Sequence, residues 1–125
     1  MPEVTPSLSP GILAYLQSQR LGRLATVDGH GAPQNNPVGF RYNAELGTID
    51  IGGRNLGATR KFANLAGNPK VAFVVDDIAS VQPWRVRCVE IRGRAEAIDE
   101  PTDSVARVRG AIIRVHPDRV ISFGL

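Results

Sequence analysis

At 125 residues, 42% apolar and 22% charged, the chain fits a single soluble domain (1–125) able to bury roughly two-thirds of its unfolded surface without covalent staples. Its one cysteine, Cys88, excludes an internal disulfide and points to a reducing, cytoplasmic setting; the start "MPEVTPSLSPG" has neither the basic nor the apolar stretch of a signal peptide, and no apolar run reaches the ~18 residues of a membrane span. A net charge of +3 carried by scattered arginines suits a small anionic ligand better than a nucleic acid.

Ser9-Pro10 reads as a cap and first helical turn, and Ile12, Leu13 and Leu16 recur at helical spacing, so an N-terminal helix is expected within residues 1–20, running to Arg20. The period then changes. "LGRLATV" (21–27) predicts a strand, Asp28-Gly29 a hairpin turn, and "NPVGFRY" (36–42) the returning strand, with Pro37 favouring an edge or bulge. "GTIDIGG" (47–53) predicts a third strand. A helix over 57–67 follows, with Ala58, Phe62, Leu65 and Ala66 on one face; Gly67 and Asn68-Pro69 end it.

"KVAFVV" (70–75) is apolar enough to predict a central strand buried on both faces. "RVRCVEIRGRAEAI" (85–98) carries the longest strand signal. Val89, Ile91, Gly93, Ala95 and Ala97 share one parity, and Glu90, Arg92, Arg94 and Glu96 form a solvated or cross-strand-paired face. Val86 and Cys88 fall on the opposite parity from the apolar set, which predicts a bulge near Cys88. A short helix is expected from Thr102 to Gly110, and "AIIRVHP" with "RVISF" closes the chain as two short strands or one bent one. Six or so strands with few helices predict a mainly β fold, a small antiparallel barrel.

The stretch "NLGATRKFANLAGNP" (55–69) carries the most chemistry. A helix start leaves N–H groups unpaired and bears partial positive charge. Asn55 and Gly57 permit a tight turn, Thr59 adds a hydroxyl, Arg60 a planar fork and Lys61 a point charge, a set apt for a phosphate monoester. The same residues also describe a capped amphipathic helix with a solvated cationic face. Elsewhere, Asn35-Asn36 offers amides suited to a pyrimidine edge, or a plain strand-edge pair; Gly52-Gly53 permits close backbone approach; Trp84 suits a core or dimer interface as well as ring stacking. Cys88 has no basic neighbour in sequence and reads as a structural thiol. The isolated His30 and His116 have no metal-ligand spacing.

"NLGATRKFANLAGNPKVAFVV" resembles the phosphate-cradle segment of the pyridoxamine phosphate oxidase-like, FMN-binding split barrels, with an Asn, a Ser/Thr-Arg-Lys triplet opening a helix, Asn-Pro and an apolar strand. "GRLATVDGHGAPQNNPVGF" is similar to their first hairpin. "PWRVRCVEIRGRAEAI" and "IIRVHPDRVISFGL" are similar to the actinobacterial subgroup that uses the deazaflavin coenzyme F420, which includes reductases of tetracycline-type antibiotic pathways.

The resemblance implies an antiparallel split β-barrel, homodimeric, with the cofactor at the subunit interface. It implies that Thr59, Arg60 and Lys61 bind phosphate, with Asn55 in the turn before them. One extra residue lies between Asn55 and Arg60, which leaves open which group fills the Ser position. Gln34, Asn35, Asn36, Pro37 and Val38 fall where the tricyclic ring is lined. Ile51, Gly52 and Gly53 fall where ribityl and phosphate pass; Trp84, Arg85 and Arg87 fall where the second subunit closes the pocket. Arg54, Arg85 and Arg87 are candidates for the anionic tail of F420. The implied activity is hydride transfer from reduced F420 to a small conjugated acceptor, with no catalytic side chain or metal assigned. The alternatives are an FMN flavoprotein of the same fold or a non-enzymatic cofactor-binding protein. Pyridoxamine phosphate oxidation itself is not expected, because the Arg-Leu-His-Asp-Arg segment that grips pyridoxal substrates does not follow "ISFGL".

Overall fold

The computed structural model describes residues 3–5, 8–101 and 110–125, the first three by their backbone alone. The elements in chain order are β1 (Glu3–Thr5), α1 (Pro10–Gln17), β2 (Leu21–Val27), β3 (Pro33–Gly39), β4 (Arg41–Asn43), β5 (Thr48–Ile51), a 3-10 turn (Leu56–Ala58), α2 (Arg60–Gly67), β6 (Lys70–Ser80), β7 (Arg85–Ile98) and β8 (Ile112–Phe123). The eight strands join in one sheet ordered β3-β2-β6-β7-β8-β5-β4, with β1 also on β8, and every pairing is antiparallel. This is the antiparallel half-barrel expected from the sequence. The helix expected over Thr102 to Gly110 lies, but for Gly110, outside the described residues.

Local chemistry sets the element ends. Ser9 caps α1 and Pro10 opens it, while Ser18 ends it two residues short of Arg20. At the β2–β3 turn the Asp28 carboxylate accepts from the backbone N–H groups of His30 (2.8 Å) and Ala32 (2.9 Å), the usual way an Asp closes such a loop. Pro37 sits on β3, an edge strand whose only described partner is β2, so its missing N–H breaks no ladder.

Three expectations need correction. β6 is central, but only Val71, Phe73 and Val75 are buried; Ala72 and Val74 are half-exposed, because the helices cover one face of the sheet. Cys88 pairs regularly with Asp76 on one side and Phe123 on the other, so no bulge occurs there. The irregularities lie at Ala79 in β6 and at Asp118 in β8, and Val86 and Cys88 occupy the outer face of a continuous strand. The helix expected over 57–67 begins only at Arg60, with Ala58 in the 3-10 turn before it; Ala58 and Ala66 are exposed, and Asn64 is buried beside Leu65. The closing segment is one strand bent at the Asp118 irregularity. The core gathers Leu24, Phe73, Ile91, Val115 and their neighbours between the curved sheet and the two helices, with Phe40 edge-on to Phe73 at 5.1 Å.

Candidate functional site

The 3-10 turn and α2 form one device. Asn55 adopts a left-handed conformation (φ 56°), which Asn tolerates better than most residues, and turns the chain into Leu56–Ala58. Thr59 then caps α2. Its hydroxyl accepts from the Phe62 N–H (3.4 Å) and donates to the Leu56 carbonyl (2.6 Å). That hydroxyl is thus engaged within the turn, and the cationic side chains and open amides supply the remaining donors. The first turn of α2 contains no acid. Among the described residues neither Arg60 nor Lys61 joins an ion pair. Arg60 is exposed and near enough to Asp28 for its charge to help hold that carboxylate below its usual range, after the two backbone hydrogen bonds from Ala32 and His30.

β3 lies alongside this device, tied to it by side chains. Asn64 of α2 donates to the Thr26 hydroxyl (3.0 Å) and to the Gln34 carbonyl (3.2 Å), and Gln34 donates in turn to Asn36 (2.9 Å). Strand parity divides the ring-lining candidates. Gln34, Asn36 and Val38 face the helix side, whereas Asn35 and Pro37 are exposed on the other. Ile51 is fully buried at the end of β5. Gly52 and Gly53 border an open cleft of about 300 Å³ shared with Gly39, Phe40, Arg41 and Asp50. A side chain at Gly53 would meet nothing within 4 Å, so the backbone there is open to approach.

The third group of candidates stands apart from these. Trp84, 63% exposed, sits in the β6–β7 turn next to the exposed Arg85. Arg87 is engaged elsewhere: it pairs with Asp77 and lies over the Tyr15 ring at 5.1 Å, while the Tyr15 hydroxyl donates to Asp77 at 2.8 Å. Burial first, then the hydrogen bond to Asp77, pushes the Tyr15 phenol well above its usual range, so it stays protonated. Arg54 is exposed. Burial, followed by the Asp76 and Glu90 charges, raises the Cys88 thiol, which leaves it a poor nucleophile. No group of three or more metal-ligating side chains occurs among the described residues, and no helix there is long and apolar enough to cross a membrane.

Sequence reasoning missed two polar clusters. One is the Asn64–Thr26–Gln34–Asn36 chain. The other is Asp50, buried beneath the cleft, which accepts from Arg114 through two hydrogen bonds (3.0 and 3.1 Å), from Asn43 (3.0 Å) and from Thr48 (3.0 Å). Only the first offered a signal, Thr26 sharing its inward parity on β2 with Gly22 and Leu24; Asp50 and Arg114 lie on the opposite parity from the core-facing Ile49, Ile51, Ile113 and Val115, where polar residues are ordinary.

The pyridoxamine 5'-phosphate oxidase family matches residues 8–121, which spans both helices and nearly the whole sheet. The chain belongs to that family. Among its relatives is the 5a,11a-dehydrotetracycline/5a,11a-dehydrooxytetracycline reductase of Streptomyces rimosus, 47% identical over 116 residues, covering 90% of this chain and 80% of the relative. A conserved hypothetical protein of Mycobacterium tuberculosis superposes with a TM-score of 0.74 at 23% identity, covering 93% of this chain and 84% of its own. An FAD-binding protein of Mycobacterium smegmatis does so at 0.67 and 23%, covering 95% and 97%. These two structures share the split-barrel fold of this oxidase family, and α2 with its Thr59-Arg60-Lys61 opening falls well inside the matched span.

Proposed function

We propose that this member of the oxidase family is an oxidoreductase that holds a flavin-type cofactor, coenzyme F420, and reduces a double bond in a conjugated organic acceptor. The observation that carries the reading is the 47% identity, over 90% of the chain, to a reductase of dehydrotetracyclines. It supports a fused-ring enone of that kind as the acceptor. The similarity of residues 83–98 and 112–125 to the F420-using subgroup supports the coenzyme, as does the net charge of +3.

The residues present fit such a group. Arg60 and Lys61 flank a helix start with no acid in its first turn, and the open backbone at Gly53 leaves room for a chain running to a phosphate. In this reading Arg60 and Lys61 grip the phosphate, with Asn55 shaping the turn. Gly52-Gly53 and Ile51 flank the linker, and Gln34 to Val38 orient the ring edge. Trp84 and Arg85, reaching across from a second copy, cover the pocket in a cytoplasmic homodimer. Bound and reduced, the deazaflavin supplies a hydride at its C5 position. The chain itself contributes binding and orientation, and solvent at the open cleft supplies the proton that completes reduction of the double bond.

Titration of the colourless protein with F420 should quench the coenzyme's fluorescence, and reduced F420 should be consumed on adding a dehydrotetracycline. Yellow protein bleached by dithionite and indifferent to F420 would favour the FMN reading instead. Replacing Arg60 and Lys61 together by Ala should weaken binding by about 3 kcal/mol or more with the circular dichroism spectrum unchanged. Unaltered affinity in that double variant would overturn the phosphate assignment.

A further inference from the structure

The chain of amides between α2 and β3 has a direction. Asn64, buried on α2, uses its NH2 group twice, toward the Thr26 hydroxyl at 3.0 Å and the Gln34 carbonyl oxygen at 3.2 Å. With Gln34 Oε1 accepting from Asn64, Gln34 Nε2 is turned toward Asn36 and donates to its Oδ1 at 2.9 Å. A primary amide has one acceptor end and one donor end, so each bond in the series sets the orientation of the next. At the far end Asn36, half-exposed on the edge strand, has its oxygen taken, and among the described residues nothing accepts from its NH2 group.

We infer that Asn64 is a positioning residue which, through Gln34, makes Asn36 present hydrogen-bond donors to whatever docks on β3, so that position 36 selects a ligand edge bearing an acceptor such as a ring carbonyl. This deepens the cofactor reading above and rests on it for the ligand's identity, a flavin-like pyrimidine edge being one that alternates carbonyl and N–H. The relay itself is a property of the free protein. It also gives the buried Asn64 a purpose on a helix face where an apolar residue would otherwise serve: an Ala or Leu there would leave Thr26 and Gln34 without their shared donor.

The inference turns on polarity, and isosteric substitutions reverse it. Asn64→Asp can only accept, so Gln34 must turn its NH2 inward and Asn36 must rotate to donate to it, leaving a carbonyl facing outward. Gln34→Glu, at a half-exposed site that puts folding at little risk, has the same effect at Asn36. Hydrogen exchange of side-chain amides by NMR on the ligand-free protein reads the first half. In the wild type the Asn36 NH2 should exchange freely while those of Asn64 and Gln34 are protected, and in either variant Asn36 should gain protection. Fluorescence titration with FMN and with F420 reads the second half. Asn36→Ala should weaken binding about tenfold in the wild type, yet leave it unchanged or tighter in the Asn64→Asp and Gln34→Glu backgrounds. A merely structural Asn64 would give the same loss from Asn36→Ala in all three backgrounds, and that outcome overturns the inference. So does an Asn36 amide already protected in the wild type. Failure of the wild type to bind either cofactor would count against the proposed function, and the exchange pattern would still decide the relay.

Discussion

Asp50 and Arg114 bring two opposite charges into the interior, with side chains only 3% and 8% exposed. Burial alone would raise the carboxyl, but the hydrogen bonds from Arg114, Asn43 and Thr48 outweigh it and hold Asp50 below its usual range. Removing one partner leaves the other uncompensated, so Asp50→Ala should cost about 3–5 kcal/mol in chemical denaturation. A carboxylate depressed on folding stabilises the native state above its unfolded value, and that contribution fades as pH falls through the folded value. Stability of the wild type should therefore decline below about pH 4, and Asp50→Asn should show a shallower acid slope in melts taken from pH 3 to 7. Neither partner reveals the other in the sequence, because 64 residues separate them and only the β5–β8 ladder sets Asp50 opposite Arg114.

Where β7 crosses β8, a single glycine decides whether the two longest strands can meet. Asp118 is an extra residue in the β8 ladder, and the backbone it displaces comes so close to Gly93 that an added Cβ would lie 2.0 Å from the His116 carbonyl oxygen. Backbone cannot yield as a flexible side chain can. Gly93→Ala should therefore lower stability by about 3 kcal/mol, seen as a fall in Tm of roughly 10 °C. An unchanged melting curve would mean that this irregularity is soft. Around it the expected charged face pairs across the strands, Arg94 with Asp118 and Glu96 with His116, and also along β7 itself, Arg92 with Glu90. The start of α1 was equally readable, since Ser9 and Pro10 announce it by their chemistry, whereas the start of α2 at Arg60 was not, because the 3-10 turn Leu56–Ala58 precedes its Thr59 cap. The place of the bulge was not, because an apolar residue on the outer parity can mean either a change of face or an outer face that something else covers.

At the scale of the molecule, the uncovered outer face gathers apolar side chains at one end of the sheet. Ile78, Val81 (74% exposed) and Trp84 lie along the β6–β7 tip, and Val86, opposite Ile78, lies against Gly124, the residue before the exposed Leu125. Such a collection favours burial against a second copy, in keeping with the proposed shared pocket. Sedimentation should find a dimer for the wild type. Val81→Glu with Trp84→Glu should give monomers that bind cofactor at least tenfold more weakly, whereas monomeric wild type with full cofactor affinity would rule the shared pocket out.

The amino-acid sequence alone determined the antiparallel β class, the order of α1, α2 and the strands after α1 (with β3 and β4 read as one), an edge or bulge position for Pro37 and the cationic opening of α2, while β1 went unread. Each depends on contacts or conformational preferences within a few residues: alternation, caps, turn-forming Asp and Gly, the ring of a proline. Only the tertiary structure decided that Asn64 is buried and bonded to Thr26 and Gln34, that Asp50 meets Arg114, that Arg87 is engaged by Asp77 and Tyr15, and that β6 keeps one face half open. Those outcomes depend on which strands and helices become neighbours, and hydrogen bonds across 10 to 72 residues leave no periodic trace in the chain.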